Sequence, residues 1–262
     1  MTNWTLRQDG NIAIATFLRP PRNFMSFAAL GELAALLTPL GDRDDISVIL
    51  IESALPGYFV AHAELDDLAK AARGEPVEGE RSAWRTTPQL LEDLPQPVIA
   101  AIDGQAWGGG TELALACTLR IASTIASFGL SEVAVGQIPG AGGTQRLPRL
   151  IGAGRALDII LSCRKIDAAE ALQIGLVQAV LPTADFREAA LEWTRRVARH
   201  YRPALVSAKR AVIDGLQLPL SDGFALEKEL VIPRTADPVS IAHRDALATR
   251  YAQTPPQIVV DF

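Results

Sequence analysis

The chain has almost no cysteine. Cys117 and Cys163 are the only two among 262 residues. That is too few for a disulfide scaffold, and neither has CxxC or histidine-rich company, so no metal site is expected. Both fall in apolar stretches of helical character, where a buried reduced thiol is the ordinary state. Lysine is scarce too: Lys70, Lys165, Lys209 and Lys228 are the only four. No basic run interrupts the net charge of −5. A nucleic-acid partner is therefore not expected, because that affinity rests on Lys and Arg neutralising phosphates. No apolar stretch reaches the roughly 18 residues of a membrane span. The N-terminus, Met1 to Asp9, lacks both a signal peptide's basic and apolar segments and the Arg-rich helix of a transit peptide. The expectation is a cytoplasmic globular protein with no membrane partner.

What is present follows an α/β grammar. Trp4, Leu6, Ile12, Ile14 and Phe17 flank Asp9-Gly10, a hairpin signal. From Phe27 to Leu40 apolar residues take helical spacing. Ile46 to Ile51 and Pro97 to Ile102 are short apolar runs rich in β-branched residues, expected as buried strands. Arg120 to Ala122 is a third. Helices are expected over about 63–72, up to Asp93, and from the Gly108-Gly109-Gly110 triplet to Leu115. A polar, punctuated loop covers Gly74 to Glu80. Strands alternating with helical crossovers imply parallel pairing. Strands stop after about Pro182. Helices are then expected over 186–200, 203–215 and 238–252, separated at Pro219, Pro233 and Pro238. This divides the chain into a core over 1–195 and a helical C-terminal region over 196–262.

Three local features carry chemistry. The glycine triplet follows a buried strand and opens a helix. It suits a close backbone approach, and it exposes amide N–H groups at a helix N-terminus, where phosphate or a developing oxyanion could bind. On the triplet alone, a tight turn with close strand–helix packing serves equally well, and no Gly-Lys-Ser/Thr follows to suggest a phosphate loop. Glu112 lies in the first turn of that helix. Glu132 lies among apolar and small residues in Phe128 to Gly136, where burial should raise its pKa. Two carboxylates in different settings can divide acid and base duties, although spacing alone cannot bring them together. The third feature is the Gly/Pro-punctuated loop Gly136 to Leu147, of the kind that shapes a cleft rim.

In this order the three features resemble the crotonase superfamily, and within it the enoyl-CoA hydratases. The matching core runs from Pro97 through Gly108-Gly109-Gly110-Thr111-Glu112 to Ala114. It continues from Phe128 to Leu147, and on to Ala168-Ala169-Glu170-Ala171 and Gly175-Leu176-Val177. The resemblance covers the chain from Arg19-Pro20 and Asn23 to about Leu230. It implies a spiral of ββα units with a C-terminal helical region that covers the acyl pocket and serves assembly into homotrimers or homohexamers. It also implies an oxyanion hole made by the N–H groups of Gly109 and Ala63, the latter in Ala61-His62-Ala63-Glu64. Glu112 and Glu132 then act on water adding across C2=C3 of an enoyl-CoA thioester, with Glu132 delivering a proton to C2 and Glu112 orienting the water. No metal or redox cofactor is implied, since coenzyme A is part of the substrate. Ala61, His62, Leu65 and Gly110 are expected along the acyl-CoA, with Arg22 as a phosphate contact, arginine suiting bidentate binding.

The chain departs from the family pattern in places. His62 stands where glycine is usual: its ring either points away or alters acyl or pantetheine contacts. Trp107 replaces a smaller residue and would narrow the cleft. The helix beginning Asp237-Pro238 lacks the family's usual acidic-Gly and Ala-Phe pattern. His200 and His243 are expected at the surface. Double-bond isomerisation and thioester hydrolysis are alternative reactions, and acyl-CoA binding without turnover is a third reading. Keeping both glutamates favours hydration.

Overall fold

A computed structural model of the chain describes residues 2–256 and 258–260. The chain divides into two compact units after Arg199. In the first, β1 (Trp4–Asp9) and β2 (Ile12–Phe17) form the expected hairpin around Asp9-Gly10. β3 (Val48–Ser53), β5 (Val98–Ile102), β7 (Leu119–Ser123) and β10 (Ala179–Leu181) extend it into a six-stranded sheet ordered β1-β2-β3-β5-β7-β10, parallel from β2 onward. β2, β3 and β5 are buried at every residue, which is why they read as continuous apolar runs rather than alternating ones.

A second sheet was not foreseen from the sequence. β4 (Tyr58–Val60), β6 (Gln105–Trp107), β8 (Ser127–Gly129) and β9 (Ile166–Asp167) pair in that order, with β9 antiparallel. Strands of two or three residues are too short to display a period. The two sheets alternate along the chain. β3 leads to β4 and then to α2 (Leu65–Ala72) and α3 (Ala83–Asp93), and β5 leads to β6 and α4 (Gly109–Ala116). β7 leads to β8 and on to α5 (Gly143–Ile151) and α6 (Ala153–Ser162). This is a spiral of ββα units.

Before the spiral, α1 (Phe27–Leu37) is capped by Ser26, whose Oγ accepts from Ala29 N at 3.0 Å, and it buries Phe27, Leu30, Leu33 and Leu37. The first unit ends with α7 (Ala168–Gln173) and α8 (Phe186–Ala198). The second unit holds α9 (Arg202–Ile213), α10 (Leu220–Ala236) and α11 (Pro238–Gln253).

Two expectations need correction. α10 is a full helix passing through Pro233, where a break was expected. Cys163 is half-buried and lies just past α6 in a left-handed conformation, φ 55°, not inside a helix. His200 and His243 are exposed, as expected. Among the described residues, no helix is long and apolar enough to cross a membrane.

Candidate active site

The site is delivered by the second sheet. β4, β6 and β8 are parallel, with Val60 opposite Ala106 and Ala106 opposite Phe128. The segments leaving their C-terminal ends therefore emerge side by side: Ala61 to Glu64, Gly108 to Glu112, and Leu130 to Glu132. Backbone bonds join them, from Trp107 N to Ala61 O (3.1 Å) and from Gly108 N to Gly129 O (2.7 Å).

The first segment is pinned from the other side. Ala61 N donates to Asn23 O, Met25 N to His62 O at 2.9 Å and Glu64 N to Met25 O at 2.8 Å. Asn23 is buried with φ 53°, and its amide nitrogen donates to Ser53 Oγ and Phe59 O. Arg19 forms an ion pair with Glu64 at 2.7 Å and donates to Phe24 O. The amides of Ala61, Glu64, Trp107 and Gly108 are thus used, yet among the described residues nothing accepts from the N–H of Ala63 or of Gly109. Two free main-chain donors at adjacent loop ends are what an oxyanion requires. The donation from Met25 N to His62 O also polarises the peptide whose N–H is Ala63's.

The glycine triplet has a steric reason at each position. Gly108 is the N-cap of α4, with φ 51°, and a methyl group there would lie 3.0 Å from Glu132 Oε1. A methyl on Gly109 would lie 2.4 Å from the Trp84 ring, and one on Gly110 only 1.9 Å from the Val60 carbonyl oxygen. The last contact is backbone and cannot yield. Gly110→Ala is therefore expected to destabilise the fold by ~3 kcal/mol or more, read as a large drop in the denaturant midpoint. An unchanged midpoint would refute this packing. Gly110 lies in a wholly buried helix, and its missing side chain makes room for Val60.

Glu112, only 4% exposed, projects from the first turn of α4. Its Oε1 accepts from Ala141 N and Gly143 N, both at 2.8 Å, so the Gly/Pro loop wraps this carboxyl group. Burial raises its pKa to about 7. The N–H of Gly143 opposes that shift, nearby Glu132 adds to it, and Ala141 N–H and the Arg146 guanidinium oppose it again. Arg146 holds the loop by pairing with Glu92 through Nε and Nη2 at 2.7 and 2.8 Å and by donating to Ala141 O at 2.9 Å.

Glu132 begins a 3₁₀ turn over Glu132–Val135 and is half-buried. Burial raises its pKa, as its apolar neighbourhood led us to expect, against its own backbone N–H, Lys165 and Ser131. Its Oε2 is buried without a partner. Glu112 N donates to Gly108 O at 3.0 Å and Glu132 Oε1 lies against Gly108, so residues distant in sequence share one site.

The remaining expected residues are less central. His62 stacks on Phe24, ring centroids 4.2 Å apart. Its Nδ1 lies 2.6 Å from Ala63 O, which can only accept, so Nδ1 carries a hydrogen. Leu65 is exposed at the start of α2, and Arg22 is exposed with no partner among the described residues. Trp107 is fixed by its indole N–H to Ser127 Oγ at 3.0 Å. Sequence reasoning missed Trp84, against Gly109, and Lys165, whose ammonium lies 4.5 Å from the Trp107 ring centroid. A lone Trp and a lone Lys give no periodic or motif signal. Among the described residues, no group of three or more His, Cys, Asp or Glu is placed to hold a metal ion.

Known proteins share this arrangement of elements. The family model described as enoyl-CoA hydratase/isomerase matches residues 7–238. The chain is similar to a short-chain-enoyl-CoA hydratase of Clostridium acetobutylicum, 33% identical over 232 residues, covering 87% of this chain and 88% of that protein. It is also similar to the mitochondrial methylglutaconyl-CoA hydratase of Mus musculus, 39% identical over 211 residues, covering 79% of this chain and 67% of that one. Among solved structures it resembles an enoyl-CoA hydratase from Bacillus anthracis. That match has a TM-score of 0.88 and 37% identity, covering 95% of this chain and 96% of the other.

Proposed function

Because this chain belongs to the enoyl-CoA hydratase/isomerase family, whose members act on CoA thioesters, we propose that it adds water across the C2=C3 double bond of a 2-enoyl-CoA. The observation that carries this reading is the meeting of Glu112 and Glu132 beside two free main-chain donors. Hydration needs both halves of that arrangement. Attack of water at C3 pushes negative charge onto the thioester oxygen, which accepts from Ala63 N–H and Gly109 N–H. Glu112 is held through Oε1 by two amides, leaving Oε2 to hold the water and take its proton. Glu132, with an unpartnered buried oxygen that favours a protonated state, delivers a proton to C2. The proton that Glu112 takes from water and the proton that Glu132 gives to C2 leave the pair with the same number of protons before and after turnover. The reaction as proposed requires no metal or redox cofactor.

The acyl-CoA passes along Ala61, His62 and Leu65 in this reading, with Arg22 near its phosphates and Gly110 behind the donors. A cytoplasmic homotrimer or homohexamer belongs to the same proposal. Its support is the apolar surface on α10, where Leu220, Phe224, Val231 and Ile232 are exposed. A spectroscopic assay over enoyl-CoA chain lengths tests the reaction. Loss of the conjugated enoyl absorbance with formation of 3-hydroxyacyl-CoA is expected. Conversion of 3-enoyl-CoA to 2-enoyl-CoA without hydration would make it an isomerase. Release of free thiol would make it a hydrolase, and tight binding without turnover a binding protein.

A further inference from the structure

Lys165 precedes β9 and continues a row across the second sheet. Trp107 lies opposite Gly129 in the β6–β8 register, and Phe128 lies opposite Ile166 in β8–β9, so Gly129 and Lys165 come next. Gly129 has no side chain, and the lysine stem fills that space. A methyl group there would lie 2.6 Å from Lys165 Cδ and 3.1 Å from Nζ. The stem therefore lies flat across β8, and the ammonium ends over the Trp107 ring. A ring face attracts a cation, and this ring is itself fixed by Ser127. Among the described residues, the ammonium has no hydrogen bond and no direct ion pair.

We propose that Lys165 is an electrostatic positioning residue for Glu132, its charge held at a set distance by the Trp107 ring rather than by direct contact with the carboxylate. The inference rests on the hydratase reading above, in which Glu132 must give up and regain a proton. A direct ion pair would trap it as an anion. A cation kept off by a ring stabilises the anion in a graded way and leaves the proton exchangeable. Glu132 Oε1 lies against Gly108 and the Lys165 ammonium against Gly129, and Gly108 N donates to Gly129 O at 2.7 Å, so the two groups flank adjoining backbone; in keeping with this, burial raises the Glu132 pKa and Lys165 lowers it. The other charged or titratable groups facing this pair are few. Glu112 projects from α4, with Arg146 of α5 beyond it. His62 lies across Gly108, and Cys163 lies on the lysine's side. α6 packs against the turn carrying Glu132. Its Asp158 is paired with Arg164, and its Arg155 is exposed.

The direct test is a carboxyl ¹³C titration of glutamate-labelled protein, following the resonance lost in Glu132→Gln. Removing the cation should raise the Glu132 midpoint by about half a pH unit or more in Lys165→Met and in Lys165→Gln. Lys165→Arg, which keeps the charge, should restore it. In the hydration assay the uncharged variants should lose about tenfold in kcat with KM unchanged, and the alkaline limb of the pH profile, set by loss of the Glu132 proton, should move to higher pH. An unmoved Glu132 midpoint in folded variants would overturn the inference. So would a KM increase confined to substrates with a carboxylate at the far acyl end, which would make Lys165 a substrate contact. The titration needs no turnover, so a wild-type protein that hydrates nothing would overturn the proposed reaction and leave this result standing or falling by itself.

Discussion

Glu132→Gln is expected to lower the kcat for hydration roughly 10²- to 10⁴-fold, and Glu112→Gln by a similar factor. The two losses should not multiply in the double variant, because residues acting as a unit are strongly non-additive. Glutamine keeps the shape and can still accept from Ala141 N and Gly143 N, so loss of activity would report the missing proton chemistry and not a displaced loop. Full activity in either single variant would end the assignment of the pair. Glu112→Gln carries a second, opposite consequence. The folded protein holds this carboxyl group's pKa at about 7, above its unfolded value. Its contribution to stability is therefore complete below the unfolded pKa, near 4.3. That contribution declines as pH rises and is gone above about 7. The variant lacks this penalty. Its stability should match the wild type near pH 4 and exceed it at pH 8 by about 3 kcal/mol. Denaturant titrations at the two pH values would measure it. Equal wild-type stability margins at both would mean that Glu112 ionises at an ordinary pH.

Ala63→Pro should be the second most damaging change that leaves the chain folded. Proline removes the Ala63 N–H, and no described residue accepts from that group, so no internal hydrogen bond is broken. Losing one oxyanion donor costs about 10²- to 10³-fold in kcat. The comparison of interest is with Ala63→Ser, which keeps the N–H and should retain most activity. A proline variant that folds, as judged by its melting transition, and turns over at the wild-type rate would remove Ala63 from the oxyanion hole.

The sequence made the chemistry more legible than the scaffold. Gly108 to Glu112 and Gly136 to Leu147 announce themselves because close backbone approach and loop punctuation demand unusual residues in a fixed order. The long strands β3 and β5 are equally plain as buried runs. The strands that do the positioning are not. β4, β6 and β8 have three residues each, and their pairing alone brings Glu132 to Gly108. α10 was missed because Pro233 was given the weight of a breaker. Proline forfeits one hydrogen bond and kinks a helix at a cost of about 3 kcal/mol, but Pro88 in α3 and Pro148 in α5 are also interior. Lys165 is invisible for another reason: its stem fills the space over Gly129, on the strand between it and Trp107, and a space left by a missing side chain has no pattern in one dimension.

In the proposed reaction the two oxyanion donors belong to the main chain, while the groups that handle protons are side chains. This split has a consequence for descent. Almost any substitution at a glutamate deletes its carboxyl group, whereas only proline deletes an amide N–H. On that proposal thioester activation is the mutation-resistant part of the site, and the fate of the activated thioester is its changeable part. Lineages built on this backbone can trade one reaction for another by one or two codon changes at positions such as 112 and 132, without first losing the ability to polarise the thioester.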